Sequence, residues 1–209
     1  MKLWSGVLSS NAAKVRIVLA EKGVTCDIIE VPWSKATLWD KPESLWSVNP
    51  RGQVPALTDG EITLWDSTVI NEYLEEKYPQ PSLLPDDIAG RARCRLLEDE
   101  GDFNQGHVGV LISEVFLAAP GTPVSEEAAS ALSRLRQFFD RLEGELEGGD
   151  YLCGDFSMAD ISVFLTVAFA VTLGAEITQP RVLAWYERML ARPAVAAEYG
   201  AILDAAAAA

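Results

Sequence analysis

The apolar positions of this 209-residue chain change spacing once, and that change divides it in two. In the first part, short apolar runs are separated by helical repeats. Lys2 to Ser5 reads as a strand, and Ser5 to Asn11 as a loop rich in capping residues. From about Ala12 to Lys22 the apolar residues Val15, Ile17, Val18 and Leu19 predict a helix, and Gly23 stops it. Thr25 to Val31 reads as a second strand, parallel to the first, giving a β-α-β start. Pro32 to Val48 is less regular, and Trp33, Trp39 and Trp46 suggest a loop with a short helix packed by aromatics. Val54, Ala56 and Leu57 form a short apolar run, and Asp59-Gly60 marks a hairpin to Ile62–Trp65. Thr68 to about Tyr78 is a helix with Val69, Ile70, Tyr73 and Leu74 on one face.

After Tyr78 the strand signals stop. Three prolines in Tyr78–Asp86 mark the clearest linker in the chain. Beyond it only helical spacing remains. One long helical stretch covers about 87–118, with a bend expected near Gly101 or Gly106. Gly121 to Val124 reads as a turn. Ser125 caps a helix to about Gly148, with Leu132, Leu135, Phe138, Phe139 and Leu142 on its buried face. Ser157 and Asp160 have capping-box spacing ahead of an apolar run, Ile161 to Leu173. That helix is apolar nearly all round and so belongs at the centre of an all-helical domain. Pro180 to Leu190 is a further helix, and the alanines from Ala205 to Ala209 are expected to fray. The expected domains are 1–78, a linker over 79–86, and 87–209. The order β-α-β then β-β-α is that of a thioredoxin-like fold, so the fold class is α/β followed by all-α.

Within this pattern Asn49-Pro50-Arg51-Gly52-Gln53-Val54-Pro55 is the stretch with the most specific chemistry. Pro55 adjoins an apolar run yet donates nothing to a β-ladder. It therefore occupies an edge position, or follows a cis bond that turns the Val54 backbone N–H and C=O toward a peptide-like ligand. Asp66-Ser67 opens the following helix, with Ser67 at or near the N-cap. There free backbone N–H groups and the positive dipole end favour a carboxylate. Ser9, Ser10 and Asn11 stand just before the first helix, where a hydroxyl or amide donor can act beside another helix N-terminus.

Composition narrows the partners. The formal charge of −14 argues against nucleic acid and anionic membranes. No apolar run is long enough to span a bilayer, and the N-terminus lacks the apolar core of a signal peptide. Cys26, Cys94 and Cys153 are isolated in sequence, which fits a reducing cytoplasm. One histidine and no Cys/His cluster argue against a metal site.

Asn-Pro-Arg-Gly-Gln-Val-Pro-Ala-Leu (49–57), the Asp-Gly hairpin and Asp-Ser-Thr-Val-Ile-Asn-Glu-Tyr-Leu (66–74) together resemble the glutathione-site half of the cytosolic glutathione transferases. Phe-Ser-Met-Ala-Asp (156–160) and the ending from Trp185-Tyr186 to Pro193 resemble their helical domain, so the resemblance covers nearly the whole chain. It implies that glutathione is the co-substrate, with no metal. It implies that Val54, ahead of a cis Pro55, binds the cysteinyl backbone, and that Asp66 and Ser67 bind the γ-glutamyl end. It also implies that Lys41 meets the glycine carboxylate and Gln53 a neighbouring part of the tripeptide.

The thiol of glutathione needs activation, since a free cysteine ionises near pH 8.5. Ser9 falls where serine-type members place the catalytic hydroxyl, with Ser10 and Asn11 as alternatives. No tyrosine or cysteine lies in residues 1–20 to serve the other mechanisms. The second substrate, a hydrophobic electrophile, is expected between the domains, with Val7, Leu8, Trp33, Phe103, His107 and Leu111 as wall candidates. The expected protein is a cytoplasmic homodimeric serine-type transferase adding glutathione to an electrophilic carbon. The alternatives are glutathione-dependent dehalogenation, isomerisation, peroxide reduction or ether cleavage at the same site, and a non-catalytic glutathione-binding scaffold.

Overall fold

A computed structural model describes residues 1–34, 38–39, 41–117 and 123–208, with the backbone alone at 33–34, 38–39 and 115–117. The expected turn at Gly121–Val124 lies partly outside the described residues. The chain divides into two units, 1–82 with 192–209, and 83–191.

The first unit is built on a four-stranded mixed sheet ordered β2-β1-β5-β6. Strand β1 (Lys2–Ser5) runs parallel to β2 (Asp27–Glu30), with helix α1 (Ser10–Glu21) as the crossover. A two-residue hairpin, β3 (Trp33–Ser34) with β4 (Leu38–Trp39), and the short helix α2 (Glu43–Val48) fill the irregular stretch. Strand β5 (Ala56–Asp59) is antiparallel to both β1 and β6 (Ile62–Trp65), and helix α3 (Ser67–Lys77) follows. The β-α-β and β-β-α halves of a thioredoxin-like fold are thus both present. Trp4, Val31, Leu45 and Ala56 form a buried cluster on the sheet, with Ile29, Val48, Val54 and Trp65 packed at its margin. On α1 the residues Ala12, Ala13, Val15, Ile17, Val18 and Leu19 are all buried.

Polar side chains tie these elements together. Lys22, at the end of α1, has a fully buried ammonium. It pairs with Glu75 of α3 at 2.6 Å and donates to the carbonyls of Tyr78 (2.8 Å) and Pro81 (2.9 Å). Asp59 accepts hydrogen bonds from the Tyr73 hydroxyl (2.8 Å) and from Lys77, which joins the hairpin to α3. These bonds, Lys77's first, hold the Asp59 carboxyl below the usual aspartate range.

The last helix, α8 (Pro193–Ala208), belongs to the first unit rather than to the helical one. It buries Val195 and Ile202, and Arg192 and Glu198 pair with Glu21 (2.7 Å) and Arg16 (2.7 Å) of α1. The alanines expected to fray are helical to Ala208, in keeping with the high helix propensity of alanine.

In the second unit α4 (Ile88–Leu117) is a continuous 30-residue helix. Gly101 serves a close approach: a Cβ there would lie 2.9 Å from the Ser162 hydroxyl on α6 (Met158–Thr172). The capping box at the start of α6 is formed as the spacing predicts. The Asp160 carboxylate accepts from the Ser157 N–H and hydroxyl, and also from the Leu152 N–H (3.0 Å) and the Trp185 indole N–H (2.9 Å). Helices α5 (Glu126–Glu145), capped by Ser125, and α7 (Pro180–Leu190), with proline at its start, complete the unit. No described helix is long and apolar enough to cross a membrane.

Candidate functional site

The strand register brings three chain segments to one end of the sheet. Ala56 is opposite Trp4 on one side and Trp65 on the other. The residues just beyond that row, Ser5, Pro55 and Asp66, therefore leave the sheet side by side. The loop before α1, the turn before β5 and the start of α3 all begin there.

The turn is fixed from within by Asn49, which is only 1% exposed. Its side-chain carbonyl accepts from the Arg51 N–H (2.9 Å) and its amide donates to the Gln53 carbonyl (2.7 Å). The Gly52 N–H donates to the Asn49 carbonyl at 2.8 Å. Gly52 has φ 57, and a Cβ on it would collide with the Trp46 indole of α2, so the position admits glycine on both counts. The Lys41 ammonium stands over the same indole, 5.4 Å from the ring centroid. Trp46 thus lies between Lys41 and the buried Gly52, and the Lys41 and Gln53 side chains are exposed. Of the two arrangements open for Pro55, the cis Val54–Pro55 bond is the one present, and Pro55 stands immediately before β5 rather than inside it.

Asp66, rather than Ser67, is the N-cap of α3, and Ser67 is its buried first residue. The Asp66 carboxylate accepts from the Thr68 N–H (3.0 Å) and the Val69 N–H (3.4 Å). Its φ of 80° is unfavourable for a residue with a Cβ, a strain of about 1–3 kcal/mol sustained by the surrounding fold.

Ser9 is the N-cap of α1. Its hydroxyl oxygen accepts from the Ala12 N–H at 3.2 Å, and its own N–H donates to the Gly6 carbonyl at 3.0 Å. That leaves the hydroxyl hydrogen to donate outward from the positive end of the helix. Ser10 is buried as the first helical residue and Asn11 is exposed. Arg16 was not singled out in the sequence, yet it holds this loop. Its guanidinium donates to the Ser5 hydroxyl and to the carbonyls of Gly6 (3.2 Å) and Val7 (3.4 Å), while Nε donates to Glu198. An arginine inside a helix gives no local signal that it faces a loop eleven residues earlier.

Of the residues expected to wall a second-substrate pocket, Val7 and Leu8 belong to the first unit and Phe103, His107 and Leu111 to the second. Val7 and Leu8 are half-buried in the loop before α1, and the Val7 N–H donates to Glu30 at 3.2 Å. The Trp33 side chain lies outside the described residues. On α4, Phe103 is 69% exposed and meets His107 edge-on, with ring centroids 5.9 Å apart. Leu111, one turn further, is buried at 3% exposure and offers little surface to a ligand. Among the described residues no three His, Cys, Asp or Glu side chains are grouped to hold a metal.

Residues 8–77 match the family described as glutathione S-transferase, N-terminal domain, and residues 116–188 match glutathione S-transferase, C-terminal domain. A glutathione S-transferase 3 from Zea mays is 33% identical over 206 residues, 93% of this chain and 90% of that protein. This chain belongs to the glutathione S-transferase family. Among solved structures, a theta class glutathione S-transferase from Xanthomonas axonopodis pv. citri, with glutathione bound, superposes with a TM-score of 0.83. It shares 29% identity, with 95% of this chain and 96% of that one covered. A stringent starvation protein A homolog from Coxiella burnetii is 42% identical over 127 residues, 61% of this transferase-family chain and 56% of that protein's length.

Proposed function

We propose that this protein binds glutathione at the end of its four-stranded sheet, lowers the pKa of the glutathione thiol and adds the thiolate to an electrophilic small molecule. The observation that carries this is the convergence there of two helix N-termini, those of α1 and α3, around the cis Val54–Pro55 turn. The Val54 N–H and C=O pair with the cysteinyl backbone of the tripeptide. The α3 N-terminus receives the γ-glutamyl carboxylate, and the Asp66 carboxylate meets the γ-glutamyl ammonium. Lys41 and Gln53 hold the glycine end. The Ser9 hydroxyl donates to the sulfur, where the α1 dipole also favours negative charge. A donated hydrogen bond and a helix dipole both stabilise the thiolate over the thiol, and the thiolate is the nucleophile. The bond to the electrophilic carbon then forms as the leaving group departs with its electron pair.

The glutathione-bound Xanthomonas neighbour supports the tripeptide assignment. A second reading, glutathione binding without turnover, draws on the Coxiella relative, which is named for stringent starvation and not as a transferase. Calorimetric titration with glutathione, paired with turnover of an activated aryl chloride, separates the two. Binding with turnover that collapses in Ser9→Ala supports the transferase reading. Binding with no turnover of a panel of electrophiles supports the second. Absence of binding defeats both.

A further inference from the structure

Lys41 precedes Pro42, the N-cap of α2, and Trp46 follows within that helix. Helix α2 is anchored without Trp46. Leu45 is fully buried in the cluster on the sheet, and the Trp4 indole N–H donates to the Ser44 hydroxyl at 3.2 Å. Trp46 itself is 49% exposed. Its six-membered ring closes on the 49–55 turn at Gly52, where the missing Cβ leaves room for it. The Lys41 ammonium, 5.4 Å from the ring centroid, has no hydrogen bond or ion pair among the described residues, so the ring is the group that holds it.

We propose that Trp46 is a positioning residue: its indole holds the Lys41 ammonium beside the turn, and the site thereby selects thiol peptides whose third residue ends in a carboxylate. This rests on the glutathione reading above, in which Lys41 meets the glycine carboxylate. A lysine side chain has a flexible four-carbon stem, and a ligand that must immobilise it loses affinity in doing so. The negative face of the indole attracts the ammonium and limits that freedom before the ligand arrives. A carboxylate partner would also fix the lysine, but it would neutralise the charge and occupy the N–H donors that the ligand needs. The indole does neither, and the three donors of the ammonium remain available. Because the ring is braced on Gly52, the ammonium is held relative to the same turn that carries Gln53 and the Val54 backbone.

The test is calorimetric titration with two ligands, glutathione and glutathione amide, in which a neutral carboxamide of nearly the same shape replaces the glycine carboxylate. Wild type is expected to bind glutathione about tenfold more tightly than the amide, the worth of a hydrogen bond to a charged group. Lys41→Met is expected to bring that ratio close to one. Trp46→Leu is expected to lower it by about twofold to fivefold, the worth of an exposed cation–π contact, through glutathione affinity alone. Trp46→Phe, which keeps a ring face, is expected to restore most of the ratio. Adding Trp46→Leu to Lys41→Met should change neither affinity further. A Trp46→Leu protein that keeps the wild-type ratio, or that loses affinity for both ligands equally, overturns this inference and leaves the glutathione site standing. A wild type that binds neither ligand overturns the glutathione reading and this inference with it.

Discussion

At the residue scale, Asp66 combines two tasks that substitution can separate. Its carboxylate caps α3 through the Thr68 and Val69 N–H groups, and in the proposed complex its charge meets glutathione. Asp66→Asn keeps an acceptor for the cap and removes the charge. Its stability is expected to stay within about 0.5 kcal/mol of wild type while glutathione affinity falls roughly tenfold to a hundredfold, the range of a charge-assisted hydrogen bond. Denaturant melts and calorimetry on the same samples check both halves. Asp59 gives a pH signature. Its carboxyl is held low by Lys77 and Tyr73, so its contribution to stability is present above the unfolded aspartate pKa of about 3.9 and is lost as pH falls through the lower folded value. Urea melts of wild type and Asp59→Asn should therefore differ at pH 7 and converge in acid. A gap that widens toward low pH would contradict the assignment.

At the element scale, the turn at 49–55 was legible because its residues carry their backbone geometry with them. Pro55 allows few conformations, Gly52 admits the positive φ that other residues avoid, and the Ser157–Asp160 box states the start of α6 in the same local way. What was not legible depended on contacts distant in sequence. Lys22 reads as an ordinary charged residue at a helix end, yet its ammonium is buried against Glu75 and two carbonyls. Removing it takes the opposite charge from the buried Glu75 carboxylate, which keeps the Ser82 hydroxyl at 3.0 Å, so Lys22→Ala is expected to destabilise the protein by about 3–5 kcal/mol. Asn49→Ala is expected to cost about 1–3 kcal/mol through the Arg51 N–H and Gln53 carbonyl it leaves unpaired. Because Gln53 adjoins Val54, glutathione affinity should fall with it. An Asn49→Ala protein of wild-type stability would show that the turn holds itself without this side chain.

At the scale of the whole molecule, the C-terminal helix is the part whose place the chain order concealed. Residues 193–208 follow the helical region in sequence but pack on α1, where Glu198 pairs with Arg16 and Arg192, just before the helix, with Glu21. Glu198 reaches the Ser9 loop through Arg16, so the end of the chain helps to set the geometry at its beginning. For the family and the fold the local motifs sufficed; for the residues that hold the site in place they did not.

The central claim is that Ser9, at the N-terminus of α1, stabilises a glutathione thiolate. The most direct measurement follows thiolate absorbance against pH for glutathione bound to wild type and to Ser9→Ala. The expected result is a thiol pKa well below the free value of about 8.5 in the wild type, returning toward it in Ser9→Ala. A thiol that titrates as free glutathione when bound to the wild type, or a depression that survives Ser9→Ala unchanged, would contradict the claim.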